Sequence, residues 1–173
     1  MPGDRGSTMK FDPNLFVRQH NLRRCYHGTG TLKWDAGLAA QAQAYANKCE
    51  WKHSQQRGVG ENLHSFGHSN RDALRKQDPA AKALKGWYDD EEPKYNYDRP
   101  GFSMATGHFT AVVWKGTENV GCGVSLCPAG TVMQRFATLY TVCQYTKPGN
   151  SGGGYSANVP RKLRNAEATC SLR

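Results

Sequence analysis

Gly107-His108-Phe109-Thr110-Ala111-Val112-Val113-Trp114 sets one imidazole among small, aliphatic and aromatic residues. Two earlier stretches, His53-Ser54 and Gly60-Glu61-Asn62-Leu63, add a second imidazole and a carboxylate. Such side chains bind divalent metals or move protons near neutral pH. Three distant segments each bring one of them, framed by small and aromatic residues suited to holding them, and whether they do either here is the question the sequence poses.

A chain of 173 residues with 38% apolar and 21% charged residues fits one globular domain, and a domain of that size buries about 70% of its unfolded surface. Its six cysteines, Cys25, Cys49, Cys122, Cys127, Cys143 and Cys170, form no C-x-x-C pair, which argues against zinc-ribbon and thioredoxin chemistry. Three structural disulfides and a secreted, extracellular protein are the expectation, with every connectivity open on spacing alone. Residues 1–10 read as a leader remnant outside the fold, and 11–173 as a single domain. No apolar run is long enough to span a membrane, and no Asn-x-Ser/Thr acceptor occurs. A net charge of +9 favours anionic partners such as a membrane surface or an acidic glycan. The charge is scattered, with one small cluster at Arg161, Lys162 and Arg164, and reads first as a solvated basic surface. No motif for specific nucleic-acid binding accompanies it.

Asp12-Pro13 is a strong N-cap and N1 pair and opens a helix over 12–26, ended by His27-Gly28. A second helix runs from Asp35 through Ala39, Ala42 and Ala46 to Cys49, with Trp34 as a hydrophobic staple. Residues 50–77 read mostly as loop, where His64 and His68 would be exposed; His20 and His27 read as packing or surface groups. Asp78-Pro79 opens a third helix with Leu84, Trp87 and Tyr88 inward, stopped at Glu91-Glu92-Pro93. Thr106 is placed as the cap of a short helix over 108–114. Residues 119–126 and 135–145 read as strands, which Cys122 and Cys143 could join, and Tyr155 to Val159 as an extended segment. Helices followed by strands give an α+β class with an antiparallel sheet covered by helices.

In their order, several motifs resemble the CAP superfamily of cysteine-rich secretory, antigen 5 and pathogenesis-related class one proteins, from about Phe11 to Pro160. They are His20-Asn21 with Arg24, Leu32-x-Trp34-Asp35, His53-Ser54, Gly60-Glu61-Asn62-Leu63, Trp87-Tyr88, the 107–114 stretch, Val120-Gly121-Cys122-Gly123 and Cys143-x-Tyr145-x-x-Pro148-Gly149-Asn150. The resemblance implies an α-β-α sandwich with a three-stranded antiparallel sheet between helical layers. It also implies a cleft with two histidines, His53 and His108, and two carboxylates that hold a divalent cation, zinc above all. The first carboxylate is Glu61. The second falls on Asp90 when counted from Trp87 and on Glu91 when counted back from Tyr95; Glu91 is favoured for its reach. The resemblance further implies Cys122–Cys143 and Cys49–Cys127 bridges, with Cys25 and Cys170 as a remaining pair that is not family-wide.

Two imidazoles and two carboxylates can supply a four-coordinate zinc site that weakens as pH falls through the histidine range. The plainer alternative is a hydrogen-bonded cluster that pins loop 50–65 to the helix at 108. Ser54 beside His53 is a poor nucleophile–base pair, and no G-x-S-x-G elbow or H-E-x-x-H helix is present, so the chain is expected not to be an enzyme. Tyr95-Asn96-Tyr97-Asp98-Arg99-Pro100-Gly101-Phe102 matches the caveolin-binding-like pattern that sterol-binding members of the family use in a mobile loop. Tyr95, Tyr97, Pro100, Gly101 and Phe102 would hold a sterol there, unless the rings tuck into the core. Fatty acids, which family members hold between two helices, are a related cargo. The expected function is a secreted carrier of small lipids, sterols foremost. The alternatives are a host-defence or immune-modulating effector that contacts a protein receptor, and a metal-dependent hydrolase.

Overall fold

The computed structural model describes residues 5–171. Strands β3 (Gly60–His68), β4 (Asn119–Cys127) and β5 (Ala137–Thr146) form the antiparallel centre of the sheet in the order β4-β5-β3. Two short strands flank β4: β1 (Ser7–Thr8) runs antiparallel to its end at Leu126, and β2 (Lys33–Trp34) runs parallel to its start at Asn119. The expected α+β sandwich is therefore present, widened by two edge pieces. Residues 5–10, set outside the fold by the sequence reading, pack into it. Arg5 and Gly6 donate their N–H groups to Asn47 O, and Met9 is buried in the core. Residues 1–4 lie outside the described range.

Helix α1 (Pro13–His27) begins where Asp12 accepts from Asn14 N at 2.9 Å and ends at Gly28 in the left-handed region (φ 63°). Helix α2 (Ala36–Asn47) is capped by Asp35, which accepts from Leu38 N, and stops two residues short of Cys49. It lies directly on β4. A Cβ on Gly121 or Gly123 would collide with the α2 backbone at Ala39 or Gln43, so these glycines and the α2 alanines let the two elements touch. Gln43 then completes the strand: its Nε2 donates to Val124 O and its Oε1 accepts from Val124 N, both at 2.9 Å.

The opposite face of the sheet carries α1, α4 (Pro79–Leu84) and α5 (Gly107–Val113), which close over Phe16, Leu84, Trp87, Phe109, Leu126 and Leu139. Each such side chain contributes about 2 kcal/mol on burial. Three bridges fasten the layers: Cys25–Cys170, Cys49–Cys127 and Cys122–Cys143, the last joining directly opposed residues of β4 and β5.

Three local expectations are corrected. Residues 50–77 are not mostly loop: β3 and α3 (Arg71–Arg75) occupy much of them. Residues Tyr155–Asn158 form a short helix, α6, rather than an extended segment, and α7 (Ala166–Thr169) follows. His64 is not exposed: it packs edge-on to Trp87 at 6.3 Å against Gly86, while His68 is exposed as expected. Burial pushes the His64 imidazole down to about 4.

Candidate functional site

The predicted cleft residues meet as two separate imidazole–carboxylate pairs at the edge of β3. His53 Nδ1 lies 2.9 Å from Glu61 Oε1, and His108 Nδ1 lies 2.6 Å from Glu91 Oε1. In both pairs the carboxylate is the buried member: the side chains of Glu61 and Glu91 are 7% and 11% exposed, those of His53 and His108 55% and 37%. Each acid thus holds its imidazole by Nδ1 and leaves the Nε2 edge turned outward.

Glu61 ties the 53–56 loop to the sheet. It accepts from Ser54 N at 2.8 Å and from Gln144 Nε2 at 3.0 Å, besides His53. Burial pushes its carboxyl up, but the bonds from His53, Gln144 and Ser54 outweigh burial and hold it below the ordinary carboxylate range. The same bond to Glu61 raises the His53 imidazole above its ordinary value. Glu91 is the second carboxylate; Asp90 is not. Asp90 points to solvent and pairs with Lys85 at 2.8 Å. The cause is a π-helical turn, Lys85–Asp89, closed by Asp90 N on Lys85 O at 3.0 Å. A π turn absorbs one extra residue in a helix. It keeps Trp87 inward while swinging Glu91 under α5.

Glu91 also accepts from Phe109 N at 2.9 Å and so caps α5, the role expected of Thr106, whose side chain makes no cap bond. The His108 ring stacks on Trp87 (6.4 Å, 17°), and Trp87 Nε1 donates to Leu63 O at 2.8 Å. A further network went unread in the sequence. His20, fully buried, reaches Phe16 O through Nδ1 and Tyr145 Oη through Nε2; Asn62 Nδ2 donates to both Tyr145 Oη and His108 O. The bond to Phe16 O makes Nδ1 the protonated nitrogen, so Nε2 accepts from the tyrosine.

A hollow of about 120 Å³ lies between the pairs, lined by His53, Glu61, Asn62, Phe102, Met104 and His108. Adjacent strand residues face opposite ways. Glu61 leans with its neighbour Gln144 toward α2, and Asn62 leans toward α5. The strand edge therefore keeps the pairs apart, and no group of three or more His, Cys, Asp or Glu able to hold a metal occurs among the described residues. The four residues do not fit a preformed four-ligand zinc site: the carboxylates are spent on Nδ1 and backbone N–H groups, and two Nε2 atoms remain.

The segment proposed as a movable flap divides in two. Tyr95 is buried against Phe109 at 5.3 Å. Tyr97 is half-buried, 4.9 Å from Tyr95, stacked on His27 at 6.4 Å, and donates its hydroxyl to Glu92 Oε1 at 2.8 Å. Neither ring is free to close on a ligand. Pro100 is exposed and Gly101 half-buried, whereas Phe102 is 59% exposed with its ring edge on Gly107. Met104, which aromatic spacing alone did not mark, is 86% exposed beside it.

A three-layer disulfide-bonded sandwich with two histidine–carboxylate pairs at one strand edge defines a CAP domain. The model of the cysteine-rich secretory protein family matches residues 17–145, and the chain belongs to that family. Protein PRY2 of Saccharomyces cerevisiae is 37% identical over 83% of this chain, which spans only 39% of PRY2. Fruiting body protein SC7 of Schizophyllum commune is 34% identical over 85% of this chain and 70% of its own length. Among solved structures, NaASP2 with Zn2+ superposes with a TM-score of 0.65 at 24% identity, covering 96% and 94% of the two chains. That likeness speaks to the fold.

Proposed function

We propose that this CAP domain is an extracellular, non-enzymatic carrier of a small apolar ligand, a sterol foremost, gripped by the outer half of the 95–104 segment. One observation carries the reading: Phe102 and Met104 stand in solvent at the mouth of the hollow. Tyr95 and Tyr97 serve as the fixed base of the segment rather than as its grip. Between Pro100 and Met104 the chain is held by local turn bonds, such as Ala105 N on Ser103 Oγ and Thr106 N on Ser103 O. An apolar ring system laid on Phe102 and Met104 would remove both from water, each worth about 2 kcal/mol when fully covered. Three disulfides support the extracellular setting, and no helix among the described residues is long and apolar enough to cross a membrane. The non-enzymatic reading draws on Ser54 Oγ, whose neighbours are Gln56 N and Gln144 Nε2 rather than an imidazole.

Capture of radiolabelled sterol by the purified domain tests this. The double variant Phe102→Ser/Met104→Ser should retain the fold and lose about 30-fold or more in affinity, the equivalent of one covered side chain. Equal capture by wild type and variant would end the proposal.

A divalent cation in the hollow is a second reading, favoured by the two outward Nε2 edges. The side chains would supply two imidazoles at most, water completing the shell, so the affinity should be weak and fall further as the imidazoles take up protons. Zinc titration by calorimetry checks it: indistinguishable isotherms for wild type and the His53→Ala and His108→Ala variants exclude the site.

A further inference from the structure

Beside the loop that carries His53, the α2 face of the sheet ends in apolar surface that the fold leaves open. Trp51 is 53% exposed and Phe136 41%. Trp51 lies on Tyr140 with ring centroids 5.8 Å apart, and Tyr140 stands opposite Ser65 in the β3–β5 ladder. Phe136 covers Gly67, where a Cβ would meet its own Cβ at 3.2 Å, and Gly67 stands opposite Thr138. Ser65 and Gly67 are two residues apart and therefore share a face. Both rings thus sit above the same side of the same two strands, with Val132 packed on the cluster that holds Tyr140. Neither ring lines the cleft.

Basic side chains border the cluster that holds Tyr140 and Tyr45. Arg135 lies 6.0 Å from the Phe136 ring centre, and Lys48 Nζ lies 5.6 Å from that of Tyr45. Lys52 pairs with Glu50 at 2.9 Å, and Lys52, Lys48 and Arg5 together hold the Glu50 carboxyl below its ordinary range. Arg5, Lys48, Lys52 and Arg135 against Glu50 leave the patch with a net positive charge.

Large exposed rings fringed by Lys and Arg match the boundary of an anionic bilayer: the rings enter the headgroup region and the cations meet the lipid charge. A second copy of the chain is a poor occupant, because a twofold contact would set these cations against their own images. We infer that Trp51 and Phe136, with Arg5, Lys48, Lys52 and Arg135 around them, form a docking surface for an anionic lipid bilayer. The inference stands apart from the ligand reading, since it uses none of the residues near Phe102.

Sterol-free vesicles of phosphatidylcholine, with or without roughly a third phosphatidylserine, provide the test. The protein should sediment with the anionic vesicles and not with the neutral ones. Its tryptophan emission should shift to the blue, reporting Trp51, since Trp87 and Trp114 are buried and Trp34 half-buried. Trp51→Ala/Phe136→Ser should weaken partitioning about tenfold or more, and Lys52→Glu by about fivefold or more, each Lys near a charged surface being worth about that factor. Phe102→Ser/Met104→Ser should bind vesicles as wild type does, which separates a failed flap from a failed patch. No partitioning, partitioning indifferent to Trp51 and Phe136, or a concentration-dependent dimer that Trp51→Ala dissolves would each overturn the inference.

Discussion

Replacing Arg24 with Met should cost about 4 kcal/mol or more of unfolding free energy, a large share of the roughly 5–15 kcal/mol that a domain has in hand. Arg24 is 1% exposed and has no carboxylate partner among the described residues. Its charge is instead satisfied by five backbone carbonyls. Nε donates to Gly30 O at 2.8 Å, Nη1 to Val112 O at 3.1 Å and Trp114 O at 2.8 Å, and Nη2 to Thr29 O at 2.9 Å and Thr117 O at 3.2 Å. Burial lowers the guanidinium to about 10, still far above neutral pH, so it stays charged. A methionine fills the space and leaves those oxygens in a dry interior. Arg24→Lys retains charge but not the fork, and should fall between. Chemical denaturation measures both; a loss under about 1 kcal/mol for Arg24→Met would show that the carbonyls find water. The same bonds fix the C-terminal end of α5, so the variant should also loosen His108 at its other end.

Acid should destabilise the domain well before its carboxylates titrate. Burial lowers His20 from 6.5 to about 4, opposed by its bond to Phe16 O; burial likewise lowers His64 to about 4 and His27 below its ordinary value. A depressed histidine binds its proton more readily in the unfolded chain. Stability is therefore intact above 6.5 and lost as pH falls toward 4, by about 3 kcal/mol for His20 alone. His53 works in the opposite sense: its raised value adds stability below 6.5 that disappears as pH rises past the folded value. Glu61 holds its contribution above 4.5 and loses it below. Two buried histidines and the half-buried His64 outweigh one half-exposed pair, so unfolding free energy should fall between pH 6.5 and 4.5, and His20→Gln should flatten the slope. A level profile over that range, or an NMR titration of His20 centred at 6.5, would contradict the burial argument.

Much of this was legible in the sequence where one residue type has one physical job. Asp12, Asp35 and Asp78 cap their helices, Gly28 ends α1, and β4 and β5, which hold Val, Leu, Thr and Tyr, form the buried strands. The residues of the histidine–carboxylate pairs were also found, because their types and order are distinctive. Strand β3 was missed because it lacks apolar alternation: Asn62 and His64 lie on its inner face, satisfied by Tyr145 and covered by Trp87, contacts that no local pattern encodes. The choice between Asp90 and Glu91 turned on a π turn, which depends on how Trp87 packs. Tyr95 and Tyr97 look like Phe102 in a spacing pattern, and only the positions of Phe109 and His27 decide which rings are held. Residues 5–9 carry a polar composition that hides their pairing to the rim of the sheet.

The ligand reading stands or falls on where a sterol touches the chain. Photolabelling with a diazirine sterol, followed by peptide mapping, measures that contact directly. Modification should concentrate on residues 99–104, centred on Phe102 and Met104, and excess unlabelled sterol should suppress it. Labelling centred instead on the groove between α1 and the Cys25–Cys170 bridge, lined by Val17, Leu22 and Thr169, would contradict the account and move the carrier site to that groove.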